Sequence, residues 1–134
     1  MQKMIDSSYR PGLGEFMSGI QLHHEKLWFA GKNENWKLAD FEINEIKETI
    51  TDINNYCKDR PEIHFLPMIN PVLDSLANAI QEKNSASFIK NYSLLTGTCN
   101  SCHQATKHEF NVIKVPRVSA FSDQEFTVPR QTGN

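Results

Sequence analysis

Apolar residues recur along this chain at the alternating steps of four and three that place side chains on one helical face, and they do so in four separate stretches. The first follows a polar lead-in ending at Arg10-Pro11-Gly12 and carries Leu13, Met17, Ile20, His24 and Leu27 on one face. Ala30 to Asn35 interrupts it, with Gly31 placed as a C-cap and the asparagines Asn33 and Asn35 suited to a turn and the next N-cap. From Trp36 the stripe resumes at Ala39, Ile43, Ile46, Ile50, Ile53 and Cys57, a seven-residue repeat whose outer face holds Glu45, Lys47, Glu48 and Asp52. Lys58 to Asn70 contains Pro61 and Pro67, shows no period and reads as a loop. Asn70-Pro71 then reads as an N-cap followed by proline at the first helical position, opening a third helix through Leu73, Leu76 and Ile80. Asn84-Ser85 marks another reversal, and the fourth helix carries Phe88, Tyr92, Leu95, Cys99 and Cys102, which puts both cysteines on the buried stripe.

Four amphipathic helices joined mostly by short connections predict an all-α fold, an antiparallel four-helix bundle over about residues 11–107. In such bundles cofactor sites are built from side chains on facing helices. After Lys107 the chain runs through Phe110 to Pro116 into a tail with Pro129 and Gly133, too irregular and too limited by proline for a fifth helix. Residues 108–134 are therefore expected to form an extended C-terminal arm packed over the bundle, with Phe121 and Phe126 as anchors.

A length of 134 residues fits one domain, 1–134, and suffices for a core that needs no disulfide to hold it. The formal net charge of -2 comes with no stripe of Lys and Arg able to neutralise a phosphate backbone, which argues against a nucleic-acid partner. No apolar run reaches the roughly 20 residues of a membrane span, and the start, Met1-Gln2-Lys3-Met4-Ile5-Asp6, lacks the apolar stretch of a secretory signal.

The cysteines change the picture most. Three is an odd number, and two of them lie three positions apart, which is not the framework of a disulfide-stapled domain. Cys57, at the end of an apolar stripe, reads as a buried small hydrophobe. Cys99-Asn100-Ser101-Cys102-His103 has the residue types that covalent haem attachment requires. Two thiols one helical turn apart can add across the two vinyl groups on one porphyrin edge, and an imidazole directly after the second can reach the iron. Two rival readings use the same residues. A structural zinc site could draw on Cys99, Cys102 and His103 or His108, but the second ligand pair that zinc modules place a dozen or more residues away is missing. A thioredoxin-like dithiol expects its C-x-x-C after a strand at a helix start, whereas this one comes late in a helix.

On the motif and the four-helix pattern together, the chain resembles the c-type cytochromes, and among them the helical-bundle class that includes cytochrome c′. The resemblance implies haem c held by thioether bonds from Cys99 and Cys102, with His103 as the proximal iron ligand. It further implies residence in a bacterial periplasm, which makes the sequence read as a mature chain without its signal peptide, and a function in electron transfer or in binding a diatomic gas such as nitric oxide or carbon monoxide. Redox proteins or such a gas are then the expected partners, and dimers are common in that class. One departure is plain: there the motif lies close to the chain end, whereas here about thirty residues follow His103.

An electron carrier is the leading expectation and a gas-binding protein the alternative. Neither is an enzyme; a peroxidase would need distal acid-base groups beside an open iron. The two readings part on the sixth axial position. In an up-down bundle residues early in the first helix stand level with residues late in the fourth, which makes His24, Met17 and His23 the candidates, in that order. His24 leads because a buried imidazole on an apolar stripe is costly without a hydrogen bond or a metal. His64 falls in the loop, and His108 is expected near the haem edge or solvent.

Overall fold

Each stretch of four-three periodicity is a helix in the computed structural model, which describes residues 12–129: α1 (Leu13–Lys32), α2 (Trp36–Tyr56), α3 (Asn70–Gln81) and α4 (Ser85–Ala105). The lead-in through Arg10-Pro11 and Gly133 of the tail lie outside the described residues. The cap expected near Asn35 forms, and Asn84, at the expected reversal, caps α4 as well. Asn35 accepts the Leu38 N–H on its side-chain oxygen at 3.3 Å, and Asn84 accepts the Ser87 N–H at 3.0 Å, each satisfying a donor the helix start leaves unpaired.

Gly31 does not act as a cap. It is buried inside the last turn of α1, and the ring of Phe88 lies where a Cβ would be, so its missing side chain is a packing requirement. The reversal is made by Glu34, at φ 55°, whose N–H reaches the Gly31 carbonyl at 2.9 Å while that of Asn35 reaches Ala30 at 2.9 Å. Lys83 (φ 54°) and Lys107 (φ 64°) end α3 and α4 with the same Schellman pattern. Three helices thus stop on a residue in the left-handed region, at a conformational cost that glycine would avoid.

The segment expected as a loop contains two short 3-10 turns, Pro61–His64 and Leu66–Ile69, and buries Leu66 and Ile69. Its second turn runs straight into α3, so Ile69 holds the cap position and Asn70 is already helical, with no side-chain cap.

The core is continuous through the four stripes, from Ile20 and Leu27 of α1, through the isoleucines of α2 and Leu73 and Leu76 of α3, to Phe88, Tyr92 and Leu95 of α4. Along α1 and α4 the contacts run in opposite senses: Gly31 meets Phe88, whereas His24 meets Tyr92 and Thr96. Cys57 is buried and unpaired, as expected. Glu42 of α2 is 2% exposed, a burial the pattern did not announce; its carboxylate accepts from His23 Nδ1 at 2.7 Å.

The arm runs back along α1. The Ala120 N–H donates to Glu25 at 2.6 Å, and Lys26 lies 4.6 Å over the Phe121 ring. Phe126 is buried beside Phe29, with ring centroids 5.6 Å apart. Both expected anchors hold it.

Candidate functional site

Where α1 and α4 reach the end of the bundle that carries Cys99 and His103, the core opens into a cavity of about 350 Å³. Volumes of this order are typical of small-molecule and cofactor sites. Its wall is mainly apolar, with Leu13, Met17, Ile20, Ile53, Ile63, Leu66 and Ile113, and it includes Cys99, Cys102 and His103. The two cysteines do not sit within the buried stripe as expected; they are half-buried because the stripe here faces this cavity and not another helix. A narrow apolar extension lined by Ile50, Phe65 and Met68 shares Met17, Cys99, Cys102 and His103 with it.

Burial pushes the Cys99 thiol up to about 11, and burial also raises that of Cys102. Both therefore stay protonated near neutral pH, the opposite of the lowered thiol that a dithiol redox centre requires. Among the described residues no three His, Cys, Asp or Glu side chains gather as an ion site needs, which leaves the zinc reading without a ligand set.

His103 is buried, and its Nδ1 lies 2.6 Å from the Asn111 carbonyl oxygen of the arm. A carbonyl only accepts, so Nδ1 carries the proton and Nε2 of the neutral ring keeps its lone pair. Nε2 has no hydrogen-bond partner among the described residues, on a residue that lines the cavity. That division of labour between the two nitrogens is characteristic of metal-binding histidines.

His24 lines the cavity too, but both its nitrogens are committed. Nε2 lies 2.9 Å from the Thr96 hydroxyl and Nδ1 lies 3.0 Å from the Tyr92 hydroxyl. The Tyr92 hydroxyl donates its one proton to the His24 carbonyl at 2.7 Å, so Nδ1–H donates to the Tyr92 oxygen and Nε2 accepts from the Thr96 hydroxyl, which leaves no nitrogen free. Burial lowers its pKa to about 4, keeping the ring neutral. Its place as first candidate for the sixth ligand is corrected accordingly: it is a satisfied core residue. His23 falls as well, because its ring faces α2, with Nδ1 on Glu42 at 2.7 Å and Nε2 3.9 Å from Glu45. Of the three candidates, Met17 alone lines the cavity with an uncommitted donor atom.

The pattern missed the polar mouth. Arg60 and Glu62 form a two-point pair at 3.1 and 3.0 Å, and the Arg60 guanidinium holds the Glu62 carboxyl below its usual range. His108 lies beside them, with Nδ1 3.1 Å from the Thr106 hydroxyl. Met68, in the segment read as a loop, places a second thioether sulfur next to the motif. No periodic signal reports these residues, since they sit in turns and reach the site only through the fold.

The chain matches no family model, no curated protein and no solved structure.

Proposed function

We propose that this protein is a monohaem c-type cytochrome acting in periplasmic electron transfer. One observation carries the reading: both thiols of C-x-x-C-H border one apolar cavity with a histidine whose Nδ1 is fixed by a carbonyl and whose Nε2 is free. Cys99 and Cys102 would hold haem c by thioether bonds, and His103 would be its proximal ligand. The group supplies a one-electron couple, and the residues around it supply orientation, exclusion of water and tuning of the potential. The wall from Leu13 to Ile113 keeps the site dry, while Arg60 offers a cation at the mouth.

Expression with a c-type maturation system and an export signal tests it. The chain should gain the mass of one haem that survives acid denaturation, and the double variant C99A/C102A should lose all of it. Protein that holds no haem under these conditions, or that holds stoichiometric zinc, overturns the proposal.

A second reading, binding of a diatomic gas, gains from the commitment of both α1 histidines, which takes two strong ligands away from the sixth position. A low-spin reduced spectrum indifferent to carbon monoxide decides for the carrier; a high-spin one that takes up the gas decides for the sensor.

A further inference from the structure

Asn100 stands between the two cysteines, and its carboxamide is bonded on both sides to one residue of the arm. Nδ2 donates to the Ile113 carbonyl at 2.8 Å, and Oδ1 accepts the Ile113 N–H at 2.7 Å. The side chain thereby stands in for a neighbouring strand, satisfying both backbone groups of a residue that belongs to no sheet.

Two residues before Ile113 is Asn111, the residue whose carbonyl takes the His103 Nδ1–H. The stretch between helix and clip is short and bonded at both ends. At its start the His108 N–H returns to the His103 carbonyl at 2.6 Å, and the Asn111 N–H reaches His108 at 2.9 Å. The spacings agree. Asn100 and His103 are three apart and share a helical face, while Asn111 and Ile113 are two apart and both turn backbone groups to that face. Asn111 is exposed, and its own side chain makes no hydrogen bond among the described residues. The register of its carbonyl on the imidazole is therefore set by the turn on one side and by Asn100 on the other.

We propose that Asn100 is a positioning residue for His103: by clipping Ile113 it keeps the Asn111 carbonyl on Nδ1, and so fixes the tautomer, ring plane and basicity of the imidazole. The inference rests on the haem reading for its consequence at iron, but not for its geometry. A carbonyl on Nδ1 strengthens donation from Nε2, so losing it favours the reduced metal and raises the potential.

Three measurements on the full chain, comparing wild type with N100A and N100D, test this. Alanine is a good helix former, so N100A is expected to keep the bundle. Amide exchange at Ile113 should accelerate about tenfold or more in N100A, with α1 to α3 unchanged. The 15N signals of the His103 ring, read in chain without haem, should report Nδ1–H in wild type and a mixture of tautomers in N100A. In haem-loaded chain the potential of N100A should rise by about 59 mV for a tenfold shift of the one-electron equilibrium. N100D keeps the acceptor for the Ile113 N–H and should fall between. Unchanged exchange in N100A overturns the clip. Faster exchange with an unchanged tautomer, or with an unchanged potential in loaded chain, overturns the positioning role. A chain that binds no haem refutes the cytochrome reading alone, because exchange and tautomer still decide this one.

Discussion

The two ends of the bundle use the same periodic pattern and come out opposite. At the closed end Trp28, Trp36, Phe88 and Tyr92 fill the space between helices, with ring centroids 4.8 to 6.2 Å apart, and Phe88 presses into the gap left by Gly31. At the open end the stripe positions are Leu13, Met17, Cys99 and Cys102, all partly exposed around a cavity. Part of the cause is side-chain bulk. The rest is length: α3 has 12 residues against 20 or 21 in the others, so it spans roughly 18 Å where they span about 30 Å. Level with the motif the fourth wall is made of 3-10 turns and the arm, whose irregular backbone leaves room. Aromatic bulk and whole helices close a core; slim side chains and borrowed walls keep a site.

The hydrogen-bonded pair His24 and Tyr92 sits where one end gives way to the other, and its removal should have the largest effect. H24A opens a hole in the core and removes the ring stacked on Tyr92, while the Tyr92 and Thr96 hydroxyls keep the carbonyls of residues 24 and 92, and the expected cost is about 2–4 kcal/mol in urea unfolding. The visible spectrum of haem-loaded H24A should match wild type. M17A, at the open end, should do the reverse, costing less stability and altering the spectrum or the carbon monoxide response. If H24A changes the spin state while M17A does not, the assignment of the two residues to their ends is wrong.

A pH series sharpens the same boundary. Below about 6.5 the unfolded chain protonates His24, whereas the folded chain refuses the proton down to about 4. The stability owed to the neutral ring is therefore full above pH 6.5 and is lost as pH falls through that window, by up to roughly 3 kcal/mol. Urea midpoints at about pH 7 and pH 4 should show this loss in wild type and show it reduced in H24A.

Gly31 tests the closed end alone. G31A gains helix propensity but drives a methyl into the buried Phe88 ring, and the net cost should be about 1–3 kcal/mol by thermal unfolding, with the motif end unaffected. A neutral or stabilising G31A would mean that the closed end is less tightly filled than its contacts imply. The smallest effect belongs to the reversal near Asn84. K83G relieves a left-handed residue and should stabilise by roughly 0.5–1 kcal/mol, without any change at the cavity.

Much of this architecture is local information. The four stripes, the cap at Asn35, the reversal at Asn84 and the pentapeptide from Cys99 to His103 are legible because helical periodicity, capping and thiol spacing act within a few residues of chain. What periodicity cannot report is the partner across the gap. His24 reads as an open ligand on its own helix and becomes a satisfied core residue only because Tyr92 and Thr96 arrive from 68 and 72 positions away. His23 likewise depends on Glu42, 19 positions on. Gly31 reads as a cap from its neighbours and is a packing site because of Phe88. The same holds for the arm, whose Asn111 carbonyl and Ile113 clip reach α4 through a turn with no periodic signature. Local sequence determined which residues could bear the chemistry; the tertiary structure decided which of them are free to do it, since a donor or lone pair is available only when nothing brought in from elsewhere in the chain has taken it.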